Sequence, residues 1–246
     1  MDKTKTVIVT GASSGIGFAI TKAYLDRGYN VVANGRDKER LDEAAKQLGQ
    51  PTNLLLVAGD ISLPETAKSL FTLAQKHFGK IDILVNNAGI FISKPISQYT
   101  AEDLDNIINT NLKGFFYPTQ LAVEYMKPNK CGHIVNITAA IALQPNLAVP
   151  ALLPIMTKGA INSAIKGLAL ELANDNIRVN GIAPGIIQTP MHTQDHQSLS
   201  MLKSLCPSNS IGQVTDIVDA VLYLTDSQFV TGTVMVVDGG STAGKW

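Results

Sequence analysis

Near the amino end, Thr10-Gly11-Ala12-Ser13-Ser14-Gly15-Ile16-Gly17 stands between an apolar run and a helical pattern, with its glycines spaced Gly-x3-Gly-x-Gly. The chemistry open to this pattern is the binding of a pyrophosphate. Gly11 permits a sharp turn, Gly15 lets a pyrophosphate approach the backbone, and Gly17 lets helix and strand pack closely, while the amino end of the helix faces the phosphates. The spacing is not the commoner Gly-x-Gly-x-x-Gly fingerprint, and glycines by themselves only make turns. Position, flanks and strand-to-helix context together carry the dinucleotide reading. The two cysteines, Cys131 and Cys206, have no metal-ligand spacing and form no disulfide framework. No metal site is expected, and the thiols suit a reducing cytoplasm.

Such a loop needs a strand before it and a helix after it, and the chain repeats that alternation. Apolar runs occur at Thr6–Thr10, Asn30–Asn34, Leu54–Ala58, Ile81–Val85, His133–Thr138, Arg178–Ile182 and Thr233–Val237. Most are nearly continuous Val, Ile and Leu, as in strands buried on both faces. Between them, Gly15–Gly28, Lys38–Leu48, Glu65–Gly79, Ala101–Lys127, Lys158–Asn174 and Asp216–Thr225 read as helices. The expectation is an α/β fold: a Rossmann-type, doubly wound, seven-stranded parallel sheet with helices on both faces, in one domain over residues 1–246. Gln188–Val214 is a long polar stretch that predicts a lid or substrate loop.

Composition narrows the function classes. The 246 residues carry Lys+Arg 20 against Asp+Glu 20, a formal net charge of zero, and show no basic cluster, so no nucleic-acid partner is expected. The longest apolar stretch, residues 139–156, is broken by Gln144, Asn146 and prolines and does not read as a membrane span. The amino-terminal residues lead straight into a strand without a signal-like apolar run, so a cytoplasmic location is expected. Only 16% of the residues are charged, against about 25% in an average domain.

Further motifs follow the glycine loop in order: Asn86-Asn87-Ala88-Gly89, Asn111-Leu112-Lys113-Gly114, Arg178-Val179-Asn180-Gly181-Ile182-Ala183-Pro184-Gly185 and Val237-Asp238-Gly239-Gly240. Together they resemble the short-chain dehydrogenase/reductase family over essentially the whole chain. The resemblance implies an oxidoreductase that binds a dinucleotide and a small-molecule substrate. It places cofactor contacts at Gly11, Ser13, Ser14, Gly15, Ile16 and Gly17, at Asn87, Ala88 and Gly89, at Lys158, and at Pro184, Gly185, Ile187 and Thr189. Asp60 and Ile61 flank the adenine by the same resemblance, although Asp60 equally suits a helix start before Pro64. At the end of the second strand, Asn34-Gly35-Arg36-Asp37 puts a glycine where an acid would hold the ribose of NAD, and Arg36 next to it. Arg36 favours NADP(H), with NAD(H) possible. Ser14 weakens that preference, and Asp37 can cap a helix that Arg36 merely opens. FAD shares the ADP-pyrophosphate half that the loop recognises and stays open.

At the chemistry the chain departs from the family, whose members use a Ser at the end of the fifth strand and a Tyr-x-x-x-Lys on the next helix. Asn111 and Lys158 match the catalytic asparagine and lysine, but Pro154 stands where the tyrosine belongs and Ala139 where the serine belongs. Shifting the alignment restores neither. The six tyrosines are Tyr24, Tyr29, Tyr99, Tyr117, Tyr125 and Tyr223, and no serine lies between Ser97 and Ser163. Thr138 beside Ala139 is either a substitute hydroxyl or an ordinary strand residue. Lys158 is a candidate proton donor or solely a ribose ligand, and His192 and His196 are donors in a closing lid or solvated surface groups.

Three functions remain open: a redox enzyme with a non-standard proton donor, a dinucleotide binder with little turnover that serves as sensor or partner, and a user of another ADP-containing dinucleotide. Residues 139–154 contain no charge and, with Phe91 and Ile92, suggest an apolar pocket or a subunit contact. Ala101–Lys127 and Lys158–Asn174 correspond by resemblance to the family's dimer-forming helices. The second is sparsely charged, so a homodimer or homotetramer is expected.

Overall fold

The structure, a computed structural model, describes residues 4–189 and 196–244. Seven strands, β1 (Thr6–Val9), β2 (Asn30–Gly35), β3 (Leu54–Ala58), β4 (Ile83–Asn86), β5 (Gly132–Ile137), β6 (Ile177–Pro184) and β7 (Val234–Val237), form one sheet in the order β3-β2-β1-β4-β5-β6-β7. Every neighbouring pair is parallel. The order reverses between β1 and β4, and the carboxyl ends of those two strands bound a crevice of the kind in which α/β sheets bind ligands.

Helices cover both faces. On one, α1 (Gly15–Asp26), α2 (Lys38–Gln47) and α8 (Val214–Asp226) bring Ile20, Tyr24, Leu41, Ile217 and Val221 against Val7, Val9 and Val135. On the other, α3 (Pro64–Phe78), α5 (Gly114–Met126) and α6 (Leu152–Glu171) bring Phe71, Met126, Ile161 and Ile165 against Ile8, Leu84 and Ile134. Alternate residues of one strand thus enter opposite cores, which is why these strands are continuously apolar.

Three elements differ from the sequence expectation. The helix expected over residues 101–127 is divided into α4 (Ala101–Ile107), a π-helical turn (Ile108–Lys113) and α5. The helix expected from Lys158 starts six residues earlier, at Leu152, with Pro154 in its first turn. A proline is accommodated there because its missing N–H is one that the helix leaves unpaired anyway. Within the stretch expected as a lid lies α7 (His196–Ser204). The two ends of that stretch are joined by a parallel bridge between Ile187 and Gly212, with Gln188 N–H donating to the Gly212 carbonyl at 2.8 Å. His192 lies outside the described residues.

Candidate active site

The glycine loop leaves β1 with Gly11 at φ +65° and enters α1 with Gly15 at φ +55°, the left-handed region that glycine adopts without strain. Gly17 is required by proximity: a Cβ there would lie 2.2 Å from the Gly11 carbonyl oxygen and 2.4 Å from Asn87 Nδ2. Ser14, at the N-cap of α1, makes no side-chain capping bond, so N–H groups of the first turn keep their hydrogen-bonding capacity toward the crevice. A dinucleotide pyrophosphate matches those N–H groups in bonding and in charge.

Asn87 and Thr10 lock the loop to the turn after β4. Asn87 Nδ2 donates to the carbonyls of Thr10 and Gly11 at 2.9 and 3.1 Å, and Thr10 Oγ1 accepts from the N–H groups of Asn87 and Ala88, each at 3.0 Å. The Asn87 side chain thereby fixes the backbone of the glycine loop.

At the end of β2, Asn34 Nδ2 donates to the carbonyls of Val57 and Gly59, tying this corner to the end of β3. Gly35 leaves room for Ser13, 3.5 Å from its would-be Cβ. Arg36 is exposed, and Asp37 caps α2 by accepting from the Arg40 N–H at 3.1 Å. Arg40, one turn into the helix, reaches back to Ser14 Oγ at 3.4 Å. Sequence reading missed Arg40; its spacing of four from Arg36 on a helix was the available signal. Asp60 Oδ1 accepts from Ser62 N–H at 2.9 Å in a turn, and Ile61 is buried against Gly114.

Asn111 lies in the π-helical turn and is 1% exposed. Its Oδ1 accepts from the Ile90 N–H at 2.9 Å while its Nδ2 donates to the Ile90 carbonyl at 3.1 Å and to Thr157 Oγ1 at 3.2 Å. Asn111 thus fastens the segment after Gly89 to α6. Thr157, a link that sequence reading also missed, sends its hydroxyl back to the Leu153 carbonyl at 3.0 Å.

Lys158 projects from α6 between these parts. Its Nζ donates to the Ile137 carbonyl at 2.8 Å, and a Cβ on Gly89 would lie 3.1 Å from Nζ and 3.3 Å from Asn111 Oδ1. Enclosure without a carboxylate partner pushes the ammonium pKa down to about 8. Pro154 is buried one turn before Lys158, and Ala139 follows β5 in extended conformation. Thr138 is 4% exposed, and its Oγ1 donates to the Ile182 carbonyl at 3.1 Å, so the hydroxyl is spent inside the sheet.

Two segments wall the cleft. Lys94 and Ala151 form a parallel bridge, Ser93 Oγ donates to the Pro150 carbonyl, and Lys94 pairs with Asp103 of α4 at 2.7 Å. Phe91, Leu143, Leu147 and Met156, on or near these segments, are exposed apolar side chains. Pro184 ends β6, and a Cβ on Gly185 would come 2.7 Å from Asp238 Cα, so that turn sits directly on the turn after β7. Ile187 is buried. Among the described residues no group of acidic, histidine and cysteine side chains could hold a metal, and no helix is long and apolar enough to cross a membrane.

The chain is matched over residues 11–242 by a family model described as Enoyl-(Acyl carrier protein) reductase. It is 34% identical over 245 residues to a 3-oxoacyl-(acyl-carrier-protein) reductase of Thermotoga maritima, covering 96% of this chain and 97% of that protein. A 3alpha-hydroxysteroid dehydrogenase of Mediterraneibacter gnavus is 35% identical over 250 residues, covering 98% of each. Among solved structures, ElxO with NADP bound superposes with a TM-score of 0.92 at 30% identity, over 98% of this chain and 100% of that one. A 3-ketoacyl-(acyl-carrier-protein) reductase from Brucella melitensis complexed with NADH gives 0.90 at 30% identity, over 97% and 98%.

Proposed function

Because the chain belongs to the short-chain dehydrogenase/reductase family, we propose that it is an atypical member, an NADP(H)-preferring oxidoreductase that reduces a moderately hydrophobic carbonyl compound without the usual tyrosine and serine. The observation that carries this reading is the shared crevice: the uncapped first turn of α1 and the Lys158 ammonium beside Gly89 lie at the same end of the sheet, joined through the Asn87–Thr10 and Asn111–Ile90 bonds. A reduced nicotinamide supplies hydride when bound. The protein's own residues cradle its phosphates, hold the loop after Gly89 and present an apolar, hydroxyl-poor wall to the substrate. NADP over NAD is favoured by Arg36 and Arg40, neither in an ion pair among the described residues, since guanidinium groups suit a 2′-phosphate.

The test is titration of the purified protein with NADPH, NADH and FAD, followed by cofactor oxidation against a panel of carbonyl compounds. Binding of NADPH in preference to NADH, with turnover, is expected. Failure to bind any of the three overturns the dinucleotide reading. Binding without turnover favours a second reading, a dinucleotide-binding sensor or partner, for which Pro154 and Ala139 are the motivating residues.

We also infer that two or four copies assemble in a cytoplasmic setting. The support is an apolar groove of about 310 Å³ between α5 and α6, lined by Leu112, Phe115, Phe116, Tyr117, Ala160 and Ala164. Sedimentation as a monomer would contradict assembly.

A further inference from the structure

The reading of this protein as a carbonyl reductase leaves a proton unaccounted for, since hydride addition to a carbonyl carbon creates an alkoxide. On that reading, we propose that the Lys158 ammonium is the general acid, giving its proton to the substrate oxygen directly or across one water. The argument is geometric. Pro154 has no side-chain heteroatom, and Ala139 has none. The Thr138 hydroxyl points into the sheet toward the Ile182 carbonyl, and the Thr157 hydroxyl is buried and returned to the Leu153 carbonyl. Asn111 is occupied at both ends by Ile90 and Thr157. Among the described residues Lys158 Nζ, beside Gly89, has one acceptor, the Ile137 carbonyl, for three N–H bonds, so two protons stay available to a ligand in the crevice.

The step balances. The carbonyl carbon receives a hydride from a reduced nicotinamide, which is oxidised; the C=O π pair moves to oxygen; that oxygen takes a proton from Nζ; and the amine is reprotonated by solvent. The acid strength suits neutral pH, because enclosure lowers the pKa to about 8 with no charged group contributing to the shift. Among the described residues Nζ meets the Ile137 carbonyl of β5 and stands beside Gly89 of the turn after β4, whose other neighbour there is Asn111; none of these three residues is titratable.

The experiment compares wild type with Lys158→Arg and Lys158→Ala, reading NADPH binding by fluorescence and carbonyl-dependent NADPH oxidation from pH 6 to 10. Wild-type kcat is expected to be level below about pH 8 and to fall about tenfold per pH unit above it. Lys158→Arg keeps a cation that does not release its proton, so NADPH binding should persist while kcat falls by ~10²–10⁴. Added ethylammonium should restore part of the Lys158→Ala rate. Independently of turnover, 13C-dimethylated Lys158 in the cofactor-free protein should titrate well below the ~10.4 of a lysine in a model peptide. An arginine variant with full kcat, a pH profile flat across this range, or Lys158 titrating near the model-peptide ~10.4 overturns the assignment while leaving the oxidoreductase reading intact. A wild type that oxidises NADPH with no carbonyl overturns both.

Discussion

The Lys158 ammonium and the Ile137 carbonyl lie 2.8 Å apart, a hydrogen bond that ties α6 to the end of β5 and holds an enclosed cation with no carboxylate beside it. That arrangement serves ligand binding at the expense of the fold. The lysine pKa is about 8 in the folded protein and ~10.4 in the unfolded chain, so the unfolded chain binds more protons between those values. Stability in this respect is full above pH ~10.4 and is lost as pH falls to about 8. Lys158→Met is therefore expected to unfold at a higher temperature than wild type at pH 7, and the difference should close near pH 10.5. Thermal melts at the two pH values decide it; a variant less stable at pH 7 shows that the Ile137 bond outweighs the enclosure.

Arg36 precedes the N-cap of α2 and Arg40 lies in its first turn, from which it reaches Ser14 of the glycine loop at 3.4 Å. Removing either guanidinium should weaken NADPH binding by about tenfold to a hundredfold, the range for a charge-assisted hydrogen bond of ~1.5–3 kcal/mol. NADH lacks the 2′-phosphate, so its affinity should barely change. Fluorescence titration with both cofactors separates a phosphate contact from general damage, because damage would weaken both alike.

The Thr138 hydroxyl donates to a carbonyl that also accepts the Thr138 N–H, at 2.7 Å. Thr138→Val removes the hydroxyl and leaves that carbonyl served, so a stability loss of ~1 kcal/mol is expected, with a turnover change far short of the ~10²–10⁴ that a general acid commands. Loss of turnover on that scale, with the fold intact by circular dichroism, would restore Thr138 as the acid.

Most of the framework was legible in the sequence for a physical reason. Strands buried on both faces must be continuously apolar, and a backbone that meets a pyrophosphate must dispense with Cβ atoms, so β1, β4 and the Thr10–Gly17 loop are marked by composition. What escaped depends on geometry that one-dimensional patterns do not encode. The helix expected from Lys158 begins instead at Leu152, and only the structure puts Pro154 in its first turn, where no helical N–H is lost. The interruption at Ile108–Lys113 carries Asn111, whose bonds run to Ile90, 21 positions away. Thr138 carries the same side chain whether it faces a cleft or a strand, and the Ile182 carbonyl decides between them.

Whether the missing groups limit the rate can be tested by returning them. Pro154 lies in the first turn of α6, so a tyrosine there brings only an N–H that the helix start tolerates, and the residue stands one turn from Lys158 on the same helix. Ala139 is partly exposed in extended conformation, and a serine side chain at that position adds a single oxygen. Pro154→Tyr combined with Ala139→Ser is expected to raise kcat for carbonyl reduction by up to ~10²–10⁴, with NADPH affinity nearly unchanged because the glycine loop is untouched. Pro154→Phe with Ala139→Ser is the control that fills the same space without the phenol. An increase confined to the tyrosine variant assigns it to the hydroxyl, and the decline in rate above about pH 8 should move as the acid changes from ammonium to phenol. Equal rates in the two variants mean that the surroundings of residue 154 have been rebuilt around a mechanism that no longer has a place for the phenol.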